Sequence, residues 1–135
     1  MKVLLDTNIL IAAFVAARGR SAEILERCAN EHEIITSRVL LEEYREKLVR
    51  KFRLSAELAD TRISLFESQA HVVEPTPLPQ SVCRDPDDDH VLAAAIAGGC
   101  RCIVTGDNDL LVLRRYETVD IISPSEFDGY ESATL

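Results

Sequence analysis

The 135-residue chain contains no tryptophan, one methionine and few other large rings (four Phe, three Tyr). A core built without them must be filled by Leu, Ile, Val and Ala, which suit a parallel sheet covered by helices. The same scarcity leaves little to stack on nucleobases, which argues against broad single-strand binding by stacking. No apolar run approaches the ~20 residues that a membrane-spanning helix needs. The opening Met1-Lys2-Val3-Leu4-Leu5-Asp6 meets a charge too soon for a secretory signal. A cytoplasmic protein is therefore expected, with no membrane partner. The four cysteines, Cys28, Cys83, Cys100 and Cys102, fit that compartment as small buried hydrophobes or free thiols. Cys100-x-Cys102 has no second pair to complete a zinc site.

Positive charge is also in short supply. Fifteen Lys and Arg face twenty-three Asp and Glu, a net charge of −8. This disfavours long-range attraction to nucleic acid. It describes either a soluble acidic surface or carboxylates gathered at a cation site. Both readings can hold together, and a basic partner segment would be attracted as well.

Apolar runs alternate with helical patterns. Strands are expected at residues 2–6, 34–36, 71–73, 102–105 and 119–122. Helices are expected at 8–17, 21–30, from Ser37 through Phe52, 55–70, 91–97 and 109–113. Ser21 and Ser37 read as N-caps, and Gly98-Gly99 as a helix stop. Pro75, Pro77 and Pro79 make an extended connector too short to separate domains. The order β-α-α-β-α-α-β-α-β-α-β implies an α/β fold: a three-layer α/β/α sandwich on a central, mostly parallel sheet of about five strands. One domain is expected over residues 1–127, with 128–135 as a loose tail.

The carboxylates fall at telling places in that order. Asp6 ends the first apolar run, and Asp107 follows Ile103-Val104. Glu43 lies inside a helix, and Asp85, Asp87, Asp88 and Asp89 open another. The edge of a parallel sheet where strands end is where open α/β folds bind ligands. Carboxylates gathered there repel one another unless a cation is present. All-oxygen ligands point to Mg²⁺ or Mn²⁺.

Four strings resemble the motifs of PIN-domain nucleases. They are Leu5-Asp6-Thr7-Asn8-Ile9-Leu10, Leu40-Leu41-Glu42-Glu43-Tyr44, Arg84 through Leu92, and Val104-Thr105-Gly106-Asp107-Asn108-Asp109-Leu110-Leu111. Ile121 through Phe127 resembles the closing strand and turn of one subgroup, described as VapC-like toxins of type II toxin–antitoxin pairs. The resemblance runs from Lys2 to Phe127. It implies a metal-dependent ribonuclease that binds RNA, forms a homodimer and is blocked by a small antitoxin. Carried over by motif, the catalytic and metal-binding set is Asp6, Glu43, Asp88 and Asp107. Glu43 is preferred to Glu42 because it immediately precedes Tyr44, and helix neighbours point about 100° apart. Asp88 is preferred to Asp89 because it stands three residues before Val91.

Thr7, Asn8, Asp85, Thr105 and Asp109 are expected in supporting roles, orienting carboxylates or phosphate. Asn8 reads equally as an N-cap, and capping is the favoured role of Asp85. Asp87 and Asp89 read as a solvated acidic turn, and the three histidines as surface residues. Arg18, Arg20 and Arg84 are the candidate RNA-phosphate contacts. The basic run Arg45, Lys47, Arg50, Lys51 and Arg53 reads as a solvated helix face.

Such a carboxylate set suits phosphodiester hydrolysis with one or two divalent ions. A housekeeping RNA-processing nuclease would carry the same site. A catalytically silent PIN-like binding module would be expected to lose some of the acids. A receiver-type phosphotransfer domain needs a late strand-ending lysine, and no lysine follows Lys51.

Overall fold

The computed structural model describes residues 1–134. Alternation along the first strand builds the layers. In β1 (Lys2–Leu5), Val3 and Leu5 face one side of the sheet and Leu4 the other, all essentially buried. Parallel neighbours are β2 (Glu33–Ser37) on one side of β1 and β4 (Cys102–Val104) on the other. Beyond them lie β3 (Ala70–Val73) and β6 (Val119–Ile122), also parallel. The five expected strands are these five. A sixth, the two-residue β5 (Arg115–Tyr116), pairs antiparallel with β6, giving the order β3-β2-β1-β4-β6-β5.

Helices cover both faces. On one lie α1 (Thr7–Val15), α2 (Arg20–Glu31), α3 (Arg38–Arg50) and α4 (Ala56–Ser68), packed through Leu10, Ile24, Leu41, Leu48 and Phe66. On the other lie α5 (Asp89–Ala97) and α6 (Asn108–Leu111), contributing Leu92, Ala94, Ala95 and Leu110. Ser37 and Ser55 accept the N–H of Leu40 and Leu58 and so cap α3 and α4. The expected cap of α2 is corrected: the helix starts at Arg20, with Gly19 at its cap position and no side-chain cap bond.

Helix α5 ends as expected at Gly98, and Gly99 follows with φ +64°, a left-handed turn that glycine adopts without strain. Gly98 has a second constraint. A Cβ there would collide with the buried Ile35 side chain, so helix and sheet meet closely at that point.

The C-terminal segment is not a loose tail. Phe127–Thr134 forms α7, anchored by the fully buried Phe127. His32 Nε2 lies 2.7 Å from Glu131 Oε2, and Arg27 donates to Glu131 and Asp128. Leu135 of the expected tail lies outside the described residues.

The chain moves from β1 outward to β2 and β3, then returns to place β4 on the opposite side of β1. The strand order therefore reverses between β1 and β4. A crevice opens at such a switch point, outside the carboxyl ends of the two strands. Asp6 and Asp107 follow those ends.

Candidate active site

A cavity of about 560 Å³ occupies the crevice. Asp6, Asn8 and Asp107 line it from the strand ends. Val39, Glu42, Glu43, Glu46 and Lys47 line it from α3, and Asp85, Asp87, Asp88, His90 and Val91 from the segment that opens α5. All four motif carboxylates, Asp6, Glu43, Asp88 and Asp107, thus meet in one place.

Asp6 is fixed from two sides. Its Oδ1 accepts the N–H of Thr7 at 2.7 Å, and its Oδ2 accepts the Thr105 hydroxyl at 2.7 Å and the Asn8 amide at 3.1 Å. Its backbone N–H continues the strand pairing to Val104 O. Burial pushes the Asp6 carboxyl above its ordinary pKa. The Thr105 and Thr7 hydrogen bonds oppose that rise, while the Glu43 and Asp107 charges add to it. Asp6 also caps α1, so the capping role weighed for Asn8 falls to Asp6. Asn8 instead spans the crevice, accepting the Gly106 N–H at 3.1 Å.

Thr105 is fully buried, and its hydroxyl also accepts the Asp107 N–H at 3.0 Å. Asp107 Oδ1 accepts the N–H of Asp109 and caps α6. Thr7 is buried with no hydrogen-bond partner for its hydroxyl, so its side chain does not orient the neighbouring acid.

Asp88 and Asp89 separate clearly. Asp89 turns away from the cavity and accepts the N–H groups of Val82 and Cys83 and the Ser81 hydroxyl. Burial works against its charge, but those bonds prevail and hold its carboxyl below the ordinary range. It pins the connector, which corrects the reading of Asp89 as merely solvated. Asp88 faces the cavity, and its Oδ2 is buried without a partner. Burial, followed by the charges of Asp107, Asp85 and Asp6, pushes its carboxyl up to about 7. Carboxylate oxygens of Asp88, Asp107 and Asp109 lie within 4.8 Å of one another. An orphaned buried carboxylate oxygen within an all-oxygen donor set fits a hard divalent cation. Asp85 caps the 3₁₀ turn at Pro86–Asp88, accepting the Asp87 N–H at 3.0 Å.

Glu43 is half-buried, and its Oε1 lies 3.0 Å from Lys47 Nζ, while Glu42 is more exposed. Lys47 lining the cavity corrects the reading of the basic run as wholly solvated. The lysine stands one helical turn after Glu43, a spacing visible in the sequence.

The proposed phosphate contacts fare unequally. Arg20 is held by Pro124 O and by Asp128 of α7, away from the cavity, and Arg18 is exposed and does not line it. Arg84 is exposed and 3.4 Å from Asp109, beside the acidic group.

Among the described residues, no helix is long and apolar enough to cross a membrane. The family model described as PIN domain matches residues 2–109. The uncharacterized protein MJ1680 of Methanocaldococcus jannaschii is 30% identical over 119 residues, covering 84% of this chain and 76% of that protein. Among solved structures, the fold is similar to VapBC-1 from nontypeable Haemophilus influenzae (TM-score 0.66, 16% identity, 93% of this chain and 99% of that one). It is likewise similar to VapBC2 from Rickettsia felis, bound to a DNA fragment from their promoter (TM-score 0.65, 17% identity, coverage 91% and 98%). A third is PAE2754 from Pyrobaculum aerophilum (TM-score 0.65, 17% identity, coverage 98% and 90%). With the motif order, the switch-point crevice and a family match over most of its length, the chain belongs to the PIN domain family.

Proposed function

We propose that this protein is an endoribonuclease dependent on Mg²⁺ or Mn²⁺ and acts as the toxin of a toxin–antitoxin pair. The observation that carries the nuclease reading is the convergence of Asp6, Glu43, Asp88 and Asp107 on one cavity, with Asp88 Oδ2 buried and unpartnered. Asp6, Asp88 and Asp107 would hold one or two ions, with Asp109 within reach of the same group and Glu43 on the opposite wall. Such ions supply the Lewis-acid charge that activates water and offsets the negative charge of the scissile phosphate.

The chain's own residues do the positioning. Thr105, Asn8 and the Thr7 N–H fix both oxygens of Asp6, so this carboxylate points into the crevice in one orientation. Asp85 and Asp89 hold the turn that presents Asp88. Glu43 rises from a capped helix, where its carboxylate can orient an attacking water or complete the ligand set.

The toxin role is supported by the VapBC names of two structural neighbours, VapBC-1 and VapBC2. A basic side chain of an antitoxin inserted among these carboxylates would pair with them and displace metal. The reading extends to a homodimer, which sedimentation of the purified chain tests.

Cleavage of labelled single-stranded RNA tests the activity. The wild type is expected to cut in Mg²⁺ or Mn²⁺ and to stop in chelator. Asp6→Asn and Asp107→Asn are expected to abolish cutting while remaining folded. Undiminished activity in both variants would refute the site, and a wild type that never cuts would leave a silent binding module.

A further inference from the structure

Eight carboxylate side chains line the cavity, and a phosphodiester backbone must nevertheless enter it. Lys47 supplies the one permanent positive charge among the described residues of its wall. Of its neighbours on the basic helix, Arg45 pairs with Asp60 at 2.6 Å, and Arg50, which does not line the cavity, pairs with Glu46 at 2.9 Å. Lys47 lines the cavity and lies on Glu43 at 3.0 Å. Both side chains keep about a third of their surface exposed (32% and 39%), and a pair this wet is weak and exchanges partners readily. An ammonium on a flexible stem, with three donors, suits a phosphate oxygen as well as a carboxylate.

We propose that Lys47 is a substrate-positioning residue that changes partner: it holds Glu43 while the cleft is free and takes a phosphate oxygen of the RNA backbone when Glu43 turns to the cation. The proposal rests on the nuclease reading above. It gives the acidic cleft a positive charge on its own wall with which to admit a polyanion. It also makes Lys47 a competitor for the carboxylate that the cation needs.

Two measurements on Lys47→Met, with Lys47→Arg and Lys47→Gln beside it, test both halves. Calorimetric titration with Mn²⁺ alone is expected to show affinity about threefold to tenfold tighter in Lys47→Met and Lys47→Gln, because Glu43 loses its competing cation. RNA cleavage is expected to show KM raised about tenfold with kcat nearly unchanged, and Lys47→Arg restoring KM. A raised KM with unaltered Mn²⁺ affinity overturns the exchange of partners. Tighter Mn²⁺ binding with unaltered KM overturns the phosphate contact. Both values unchanged, in variants that melt like wild type and with a wild type that binds Mn²⁺ and cuts RNA, overturn the proposal alone. A wild type that does neither overturns the nuclease reading, and this proposal with it.

Discussion

The Thr105 hydroxyl donates to Asp6 Oδ2 at 2.7 Å and accepts the Asp107 N–H at 3.0 Å. One buried oxygen atom thereby sets the spacing of two carboxylates that follow adjacent parallel strands. It also restrains the rise in the Asp6 pKa that burial causes.

Thr105→Val keeps the shape of this side chain and removes both bonds. The variant is expected to lose about 1–3 kcal/mol of stability in a urea titration, since the Asp107 N–H and Asp6 Oδ2 each lose a partner. RNA cleavage is expected to fall about 10–100-fold, because the residues that orient ligating groups matter nearly as much as the ligands. Wild-type cleavage would show that the two acids are held by other means.

The raised Asp88 carboxyl links stability to pH. Its pKa is about 7 in the fold against an ordinary aspartate value of 3.8, so the folded state holds the proton more tightly. The resulting stabilisation is fully present below the unfolded value and is lost as pH rises through about 7. The depressed carboxyl of Asp89 acts in a different window: its contribution is present above the unfolded value and lost only as pH falls through its lower folded pKa. Melting temperatures in chelator should therefore fall between pH ~4 and ~7, and Asp88→Asn should flatten that slope. Since a cation competes with the proton for the same oxygen, Mg²⁺ should raise the melting temperature more at pH ~8 than at pH ~5.5. A Mg²⁺ effect independent of pH would contradict Asp88 as a ligand.

Gly98→Ala tests the contact between α5 and the sheet. The added methyl would strike Ile35 in the core, and the expected cost is about 1–3 kcal/mol in chemical denaturation. Ile35→Ala made together with it should cost less than the sum of the two single changes, because it removes the γ carbons that the new methyl would strike. Additive effects would show that the close approach does not limit packing.

The residues that were legible in the sequence share a physical reason. Asp6 and Asp107 each follow a short apolar run, and parallel strands bring such residues to one edge. Asp88 was separable from Asp89 only by its motif position, three residues before Val91, whereas the helical offset of neighbours bore on Glu43 against Glu42. The unread features depend on partners remote in sequence. Arg20 looked free because its partner Asp128 lies in α7 near the other end of the chain. The helix α7 itself has one buried anchor, Phe127, and a polar seam to His32 and Arg27, so no apolar stripe announces it. β5 is two residues long, too short for alternation to register. The place of Lys47 on the cavity wall follows from the packing of α3, which helical spacing alone does not orient.

We propose that the cavity lined by Asp6, Glu43, Asp88 and Asp107 holds a divalent cation, with Asp88 and Asp107 as ligands. Calorimetric titration of Mn²⁺ into the wild type, Asp88→Asn and Asp107→Asn tests it most directly. The account predicts saturable binding by the wild type and affinity at least ~10-fold weaker in each variant, with melting cooperativity retained. Equal affinity in all three proteins, or no binding by the wild type, would contradict it.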